Sequence, residues 1–196
     1  MIISRHAAIN NSRMKTAEQF VADGDLKFES KDFKAAVNDY TKAIKLEPKN
    51  PDIYYNRGLA EVFLNKIGAA LEDFSTALEL NPKHEDSLFN RARIAASLGS
   101  YEKAIADYNA AIALNNEDAE LFTNRGAVKL QIKDNQGAIN DFTSALDINP
   151  SDGKAFFNRG VTYLKMHSTE RAIQDFAMAY QNGVMQAKEM LTSLQN

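Results

Sequence analysis

Tyr54-Tyr55-Asn56-Arg57-Gly58-Leu59-Ala60 decides how this chain is read, because its centre returns. Asn-Arg-Gly recurs at 124–126 and 158–160, and an altered copy, Asn90-Arg91-Ala92, lies between. The small residue that ends it stands at Gly24, Gly58, Ala92, Gly126 and Gly160, every 34 residues. Working outward, an alanine follows twelve residues after each (Ala36, Ala70, Ala104, Ala138, Ala172). An aromatic comes four later (Tyr40, Phe74, Tyr108, Phe142, Phe176), and a second alanine three beyond it (Ala43, Ala77, Ala111, Ala145, Ala179). Pro48, Pro82 and Pro150 close three of the units. Five copies in phase, without an insertion, describe an array of one supersecondary unit.

Each unit carries two apolar stripes at helical spacing. In unit two, Tyr54, Gly58 and Val62 form the first; Ala70, Phe74, Ala77 and Leu78 form the second. Asn65-Lys66-Ile67-Gly68 predicts a tight turn between them. Asn81-Pro82 ends the second helix, since proline cannot continue it. Gly58 and Ala70 let the two backbones approach, with Phe74 filling the space beside them. A lone helical pair cannot bury both of its faces, so neighbouring pairs must stack. The tail from Val184 to Leu194 predicts a last helix, with Met190, Leu191 and Leu194 as the stripe that shields the end of the array. Gly183 stops the helix before it.

These motifs resemble the tetratricopeptide repeat family over about residues 17–186, in units 17–50, 51–84, 85–118, 119–152 and 153–186. An aromatic or leucine four before each small residue (Phe20, Tyr54, Leu88, Phe122, Phe156) completes the family's small-large-small pattern. There are departures. Asn116 and Val184 replace the terminal proline of units three and five, and Asp23 stands where the other units have Arg. The resemblance implies an all-α fold, a right-handed α-solenoid of five helix-turn-helix tetratricopeptide repeats with a concave and a convex wall. Residues 184–196 would be the C-terminal capping helix. Residues 1–16 read as an N-terminal leader or first-helix extension. Their Arg5, Arg13 and Lys15, with no acid before Glu18, also match a short transit peptide in composition.

Composition excludes several function classes. The 196 residues contain no Cys, which rules out thiolate metal sites and a cysteine nucleophile, and the three His (His6, His84, His167) are far apart and leave little for a histidine-rich metal site. A net charge of −3 argues against a general nucleic-acid binder. No apolar run is long enough for a membrane span. Arg5 and His6 interrupt any secretory signal core, and the expected compartment is cytoplasmic. There is no Gly-rich phosphate loop, HExxH or Gly-x-Ser-x-Gly, so neither catalysis nor a cofactor is expected. Asn10-Asn11-Ser12 matches a glycosylation acceptor without a secretory context.

An Asp lies sixteen residues after each repeated Arg: Asp73, Asp107, Asp141 and Asp175. Unit one has Asp39 there but no Arg. Pairing within a unit (Arg57 with Asp73) leaves Asp39 unmatched. Pairing between units (Asp39 with Arg57, Asp73 with Arg91, Asp107 with Arg125, Asp141 with Arg159) explains why unit one, with nothing before it, lacks the Arg. The second scheme is preferred, with Asp175 left under the cap. Either makes these structural ion pairs.

Asn56, Asn90, Asn124 and Asn158 repeat at one point of the first helix. In the family that point faces the concave groove, so the resemblance implies a ladder of carboxamides. Each carries a donor and an acceptor, and can bond a peptide N–H and C=O without reading the side chain. An array that merely bonds its own amides is the alternative. The groove positions beside the ladder hold Tyr55, Leu59, Phe63, Phe89, Thr123, Ala127, Phe157 and Val161, pockets for apolar ligand side chains unless the rings are inter-helix core. Asp52, Asp86 and Glu120, extended by Asp25, make one rim acidic, with Lys154 at the far end. A partner segment with apolar anchors and some basic residues fits this best. Family members that clamp a C-terminal carboxylate of chaperones use Lys and Asn, then Asn, then Lys and Arg. The matching positions here are Val21, Asp25, Asn56, Asp86 and Asn90, of which only Asn56 agrees, and that partner is excluded. The expected function is a non-catalytic protein-interaction scaffold. Its rivals are structural self-assembly into a homo-oligomer and, more weakly, an accessory domain of an enzyme on another chain.

Overall fold

The structure is a computed structural model that describes residues 15–195. These form eleven α-helices and no strand. The first helices of the units are α1 (Ala17–Glu29), α3 (Pro51–Phe63), α5 (Glu85–Ser97), α7 (Ala119–Gln131) and α9 (Gly153–Lys165). The second helices are α2 (Phe33–Leu46), α4 (Ile67–Leu80), α6 (Tyr101–Leu114), α8 (Asn135–Ile148) and α10 (Thr169–Gln181), followed by α11 (Gln186–Gln195). The readings of residues 1–14, including the leader and the Asn10 triplet, lie outside the described residues. Thr16 caps α1 reciprocally with Gln19, so that helix starts at Ala17.

Capping residues set where each first helix starts. Asn50, His84, Asp118 and Asp152 occupy one repeat position and accept from backbone N–H groups of α3, α5, α7 and α9. Each turn inside a unit carries one residue at positive φ: Lys31, Asn65, Gly99, Lys133 and His167. Only Gly99 takes that conformation without a Cβ to accommodate. The turn of unit two is tighter than the sequence predicts, because Ile67 and Gly68 already belong to α4.

Within a unit the second helix lays its ring on the small residue of the first. A Cβ at Gly58 or Gly126 would sit 2.8 Å from the ring of Phe74 or Phe142. Tyr40, Phe74, Tyr108, Phe142 and Phe176 are at most 2% exposed, each worth roughly 1.5–3 kcal/mol of burial. Unit three has Ala92 at this place and accommodates its methyl group beside Tyr108. Every helix packs on the next in sequence, which makes the array a solenoid. The strongest contacts that skip a helix run between first helices, α5 with α7 and α7 with α9. First helices therefore form the inner wall and second helices the outer one.

Gly183, at φ 88°, turns the chain after α10. The helix α11 then covers the last unit with Ala187, Met190, Leu191 and Leu194, packed among Phe157, Val161 and Phe176. It begins at Gln186, two residues later than the sequence predicts. No helix among the described residues is long and apolar enough to cross a membrane.

Candidate functional site

The repeated Arg and Asp residues shape the inner wall, and here the sequence-based preference is overturned: the pairs form within units. Arg57 holds Asp73 through Nε (2.8 Å) and Nη2 (2.6 Å). Arg91–Asp107, Arg125–Asp141 and Arg159–Asp175 repeat the same two-pronged grip. The cause is the small residue. Asp73 immediately precedes the ring-bearing Phe74, and its Cβ lies 3.3 Å from a Cβ placed on Gly58. The third prong crosses to the preceding unit, where Nη1 donates to Thr41, Ser75, Asn109 or Thr143. One guanidinium thus ties two helices of its own unit to the unit before. Asp39 is not left unmatched: Lys27 and Lys42 hold it. Burial alone would push its carboxyl up, but the hydrogen bonds from the two lysines bring it below the ordinary range. Asp175 is not free under the cap either, since Arg159 holds it.

The four asparagines are half-buried on the inner-wall helices but differ in what they bond. Asn56 Nδ2 reaches Asp25 at 3.5 Å. Asn90 Nδ2 donates to the Asp86 carbonyl of its own helix at 2.9 Å. Asn124 Nδ2 is fully buried with no hydrogen-bond partner. Asn158 gives its backbone carbonyl to the Thr162 hydroxyl at 2.7 Å.

The residues just before them serve two purposes. Tyr55, Phe89 and Phe157 lean on the core rings of their own units, with centroids 5.9 Å from Phe74, 6.4 Å from Tyr108 and 5.5 Å from Phe176. They are half-buried, so each keeps part of its face free. Leu59 and Val161 pack beside them, and Ala127 is likewise half-buried. Thr123 differs, being 7% exposed with its hydroxyl donating to Asp152 at 2.8 Å, and offers almost no surface to a ligand. Phe63 departs further. It continues the stripe of Tyr55 and Leu59, but α3 ends at this residue. Its ring instead joins Phe28 and Phe33 at the turn edge of units one and two, stacked at 4.5 Å on Phe33 and 60% exposed.

Charge on the inner wall is uneven. Glu18, Asp25, Glu47 and Asp52 surround a depression of about 280 Å³ between units one and two, with Asn56 at its side. Asp52 also faces His84, whose Nε2 lies 3.0 Å from its carboxylate while Nδ1 accepts from Ser87 N–H, which leaves the ring proton on Nε2. Farther along, Arg93, Tyr101, Tyr108, Asn124, Ala127 and Val128 line a second depression of about 340 Å³ between units three and four. Sequence reasoning passed over Arg93. The signal was available in the repeat register, where positions 25, 59, 93, 127 and 161 hold Asp, Leu, Arg, Ala and Val.

Comparison with known proteins agrees with this architecture. A family model described as TPR repeat matches residues 24–62, and two described as tetratricopeptide repeat match residues 58–119 and 142–174. No curated protein sequence matches significantly. Among solved structures, the chain is similar to a MamA protein at 22% identity and TM-score 0.80, covering 88% of this chain and 94% of that one. MamA from Desulfovibrio magneticus RS-1 superposes at TM-score 0.80 with 17% identity, covering 85% and 94%. YrrB, described as a TPR protein with an unusual peptide-binding site, superposes at 0.77 with 22% identity, covering 88% and 92%. The 34-residue register, the stacked helix pairs and the family models together make this chain a member of the tetratricopeptide repeat family.

Proposed function

We propose that the chain is a non-catalytic interaction scaffold whose inner wall holds an extended segment of a protein partner. One observation carries the reading: Asn56, Asn90, Asn124 and Asn158 stand at one repeat position on four successive inner-wall helices, and their amides are not all engaged by the array itself. Carboxamides spaced along a groove match the alternating N–H and C=O groups of a strand without reading its side chains. Half-exposed rings at positions 55, 89 and 157 supply seats for apolar side chains. The four carboxylates between units one and two favour basic residues at that end. YrrB, with its peptide-binding site on the same fold, lends the reading support.

The test pairs capture with stability. Asn90→Ala with Asn124→Ala abolishes partner capture in a pull-down read by mass spectrometry, while helicity and the melting temperature stay within about 2 °C of wild type. A collapse in melting would make the asparagines structural and end the proposal.

Self-assembly has its own observation. Phe63, Leu98, Ile132 and Met166 are exposed apolar residues along the edge where the units turn, and Phe63 heads the cluster with Phe28 and Phe33. Sedimentation of Phe63→Ser against wild type decides it. A wild-type dimer that the substitution dissolves favours this second reading, and a monomer in both removes it.

A further inference from the structure

Ala95 breaks the repeat on the outer side of the array. Its counterparts are Lys27, Glu61, Lys129 and Tyr163, all long side chains with a task. Lys27 and Lys129 hold the buried Asp39 and Asp141, Glu61 holds Lys66, and Tyr163 packs on the core around Phe176. Unit three has only a methyl group at this place. A depression of about 430 Å³ opens over it, between the second helices α4 and α6, with Leu71, Ala95, Leu98 and Ala106 as its apolar wall. Leu98 and Ala106 are exposed and Leu71 is half-buried, so the depression can be entered from solvent. The Arg91–Asp107 pair borders it too, and is the most open of the four pairs, with side chains 28% and 12% exposed.

Unit five shows what such a place takes. Its Arg159, Arg171 and Asp175 match Arg91, Lys103 and Asp107 in register and in charge. Arg171 lies over the Tyr163 ring, 5.6 Å from its centre. The other units have no cation at the position of Lys103, holding Ala35, Ala69 and Gly137. Lys103 borders the depression, is exposed, and makes no ion pair or hydrogen bond among the described residues. Unit three thus repeats the cation of unit five without its ring.

We infer that this depression seats an aromatic side chain, Phe or Tyr, of a partner segment that docks on the outer wall, its ring over Ala95 and facing the Lys103 ammonium. The partner supplies from outside what Tyr163 supplies from inside in unit five. The negative face of a ring attracts a cation, so Lys103 favours an aromatic over an aliphatic side chain of similar size. Room is sufficient, since an apolar cavity of about 150 Å³ already accepts benzene. A partner lysine imitating Lys129 fits less well. Lys129 approaches Asp141 beside Gly137, whereas here Lys103 would repel a second ammonium. The site lies on the opposite side of the array from the asparagines and does not depend on the reading of the inner wall.

The full-length chain, with its methyl groups labelled with ¹³C, tests this. N-acetyl-tyrosinamide moves the methyl signals of Leu71, Ala95 and Leu98 saturably, by ring current. N-acetyl-leucinamide binds about two- to fivefold more weakly, the factor that a cation over a ring supplies at an exposed site. N-acetyl-lysinamide is weaker again. Lys103→Met keeps the stem without the charge and costs the tyrosine compound about the same two- to fivefold. Ala95→Tyr fills the depression as Tyr163 does and abolishes the shifts at Leu71 and Leu98, with helicity unchanged; should that variant not fold, Lys103→Met still decides, because Lys103 is on the surface. Methyl groups indifferent to the tyrosine compound, or a leucine or lysine compound that binds as tightly, would overturn the inference. So would shifts at these methyl groups that follow the concentration of the chain alone, since a second copy would then be the occupant. Asn90→Ala with Asn124→Ala leaves the tyrosine shifts in place, and their loss there would refute a site separate from the inner wall.

Discussion

Gly126 shows how much a single hydrogen decides in this array. Its missing Cβ is what lets the Phe142 ring lie against α7, and a methyl group would meet that ring at 2.8 Å. Gly126→Ala is expected to cost about 1–3 kcal/mol by overpacking, read as a shift in the urea midpoint. An unchanged midpoint would show that the array relaxes there as unit three does around Ala92. The ion pairs rank by burial. Asp141 lies deep and serves Arg125 and Lys129, while the Arg91–Asp107 pair is more open, because Leu88 puts no ring beneath Arg91 where the other units have one. Asp141→Ala is expected to cost about 3–5 kcal/mol and Asp107→Ala roughly 1–2 kcal/mol. Equal losses would mean that burial is not what sets their worth. Asp39 adds a pH dependence. Its carboxyl titrates below its ordinary value near 3.8. The stability it contributes is complete above that value and is lost as pH falls through the lower folded one. Asp39→Asn should flatten the acid limb of the melting profile while lowering the plateau at neutral pH.

At the scale of helices, the last element matters most. Without α11, the face of α10 and α9 around Phe176 and Val161 meets solvent. A chain stopped at Gly183 should melt lower than the full chain, with hydrogen exchange accelerating most in α9 and α10 and least in α3 and α4. Uniform acceleration would mean that the array unfolds as one block. The helices themselves were legible in the sequence, because a ring and two alanines recurring in step leave one solution for pairing α3 with α4 and its counterparts. The Arg–Asp connections were not. The same period allows the carboxylate to meet the Arg before it or the Arg after it, and only the closeness of Asp73 to Gly58 decides between them. The absent Arg in unit one misled the choice, although Lys27 stands at the repeat position of Lys129, which also serves its unit's Asp. Phe63 was misplaced for a different reason. Periodicity extends a stripe indefinitely, but a helix ends where its turn begins.

At the scale of the molecule, a superhelix turns repeated positions into lines. The asparagines become a row along the inner wall, the exposed ends of the first helices a row along the turn edge, and the acids of units one and two a charged mouth at one end. The recurrence of asparagine on four successive first helices was visible from the sequence, because identity repeats. Arg93 was not, since a break in the pattern shows only when unlike residues at one position are compared. The most direct measurement is to map, by ¹H–¹⁵N shifts, a peptide selected from a random library for binding to the wild-type chain. The account predicts perturbations concentrated along α3, α5, α7 and α9 that vanish when Asn90 and Asn124 are both alanine. Perturbations confined to α2, α4, α6 and α8, and indifferent to those two substitutions, would contradict it.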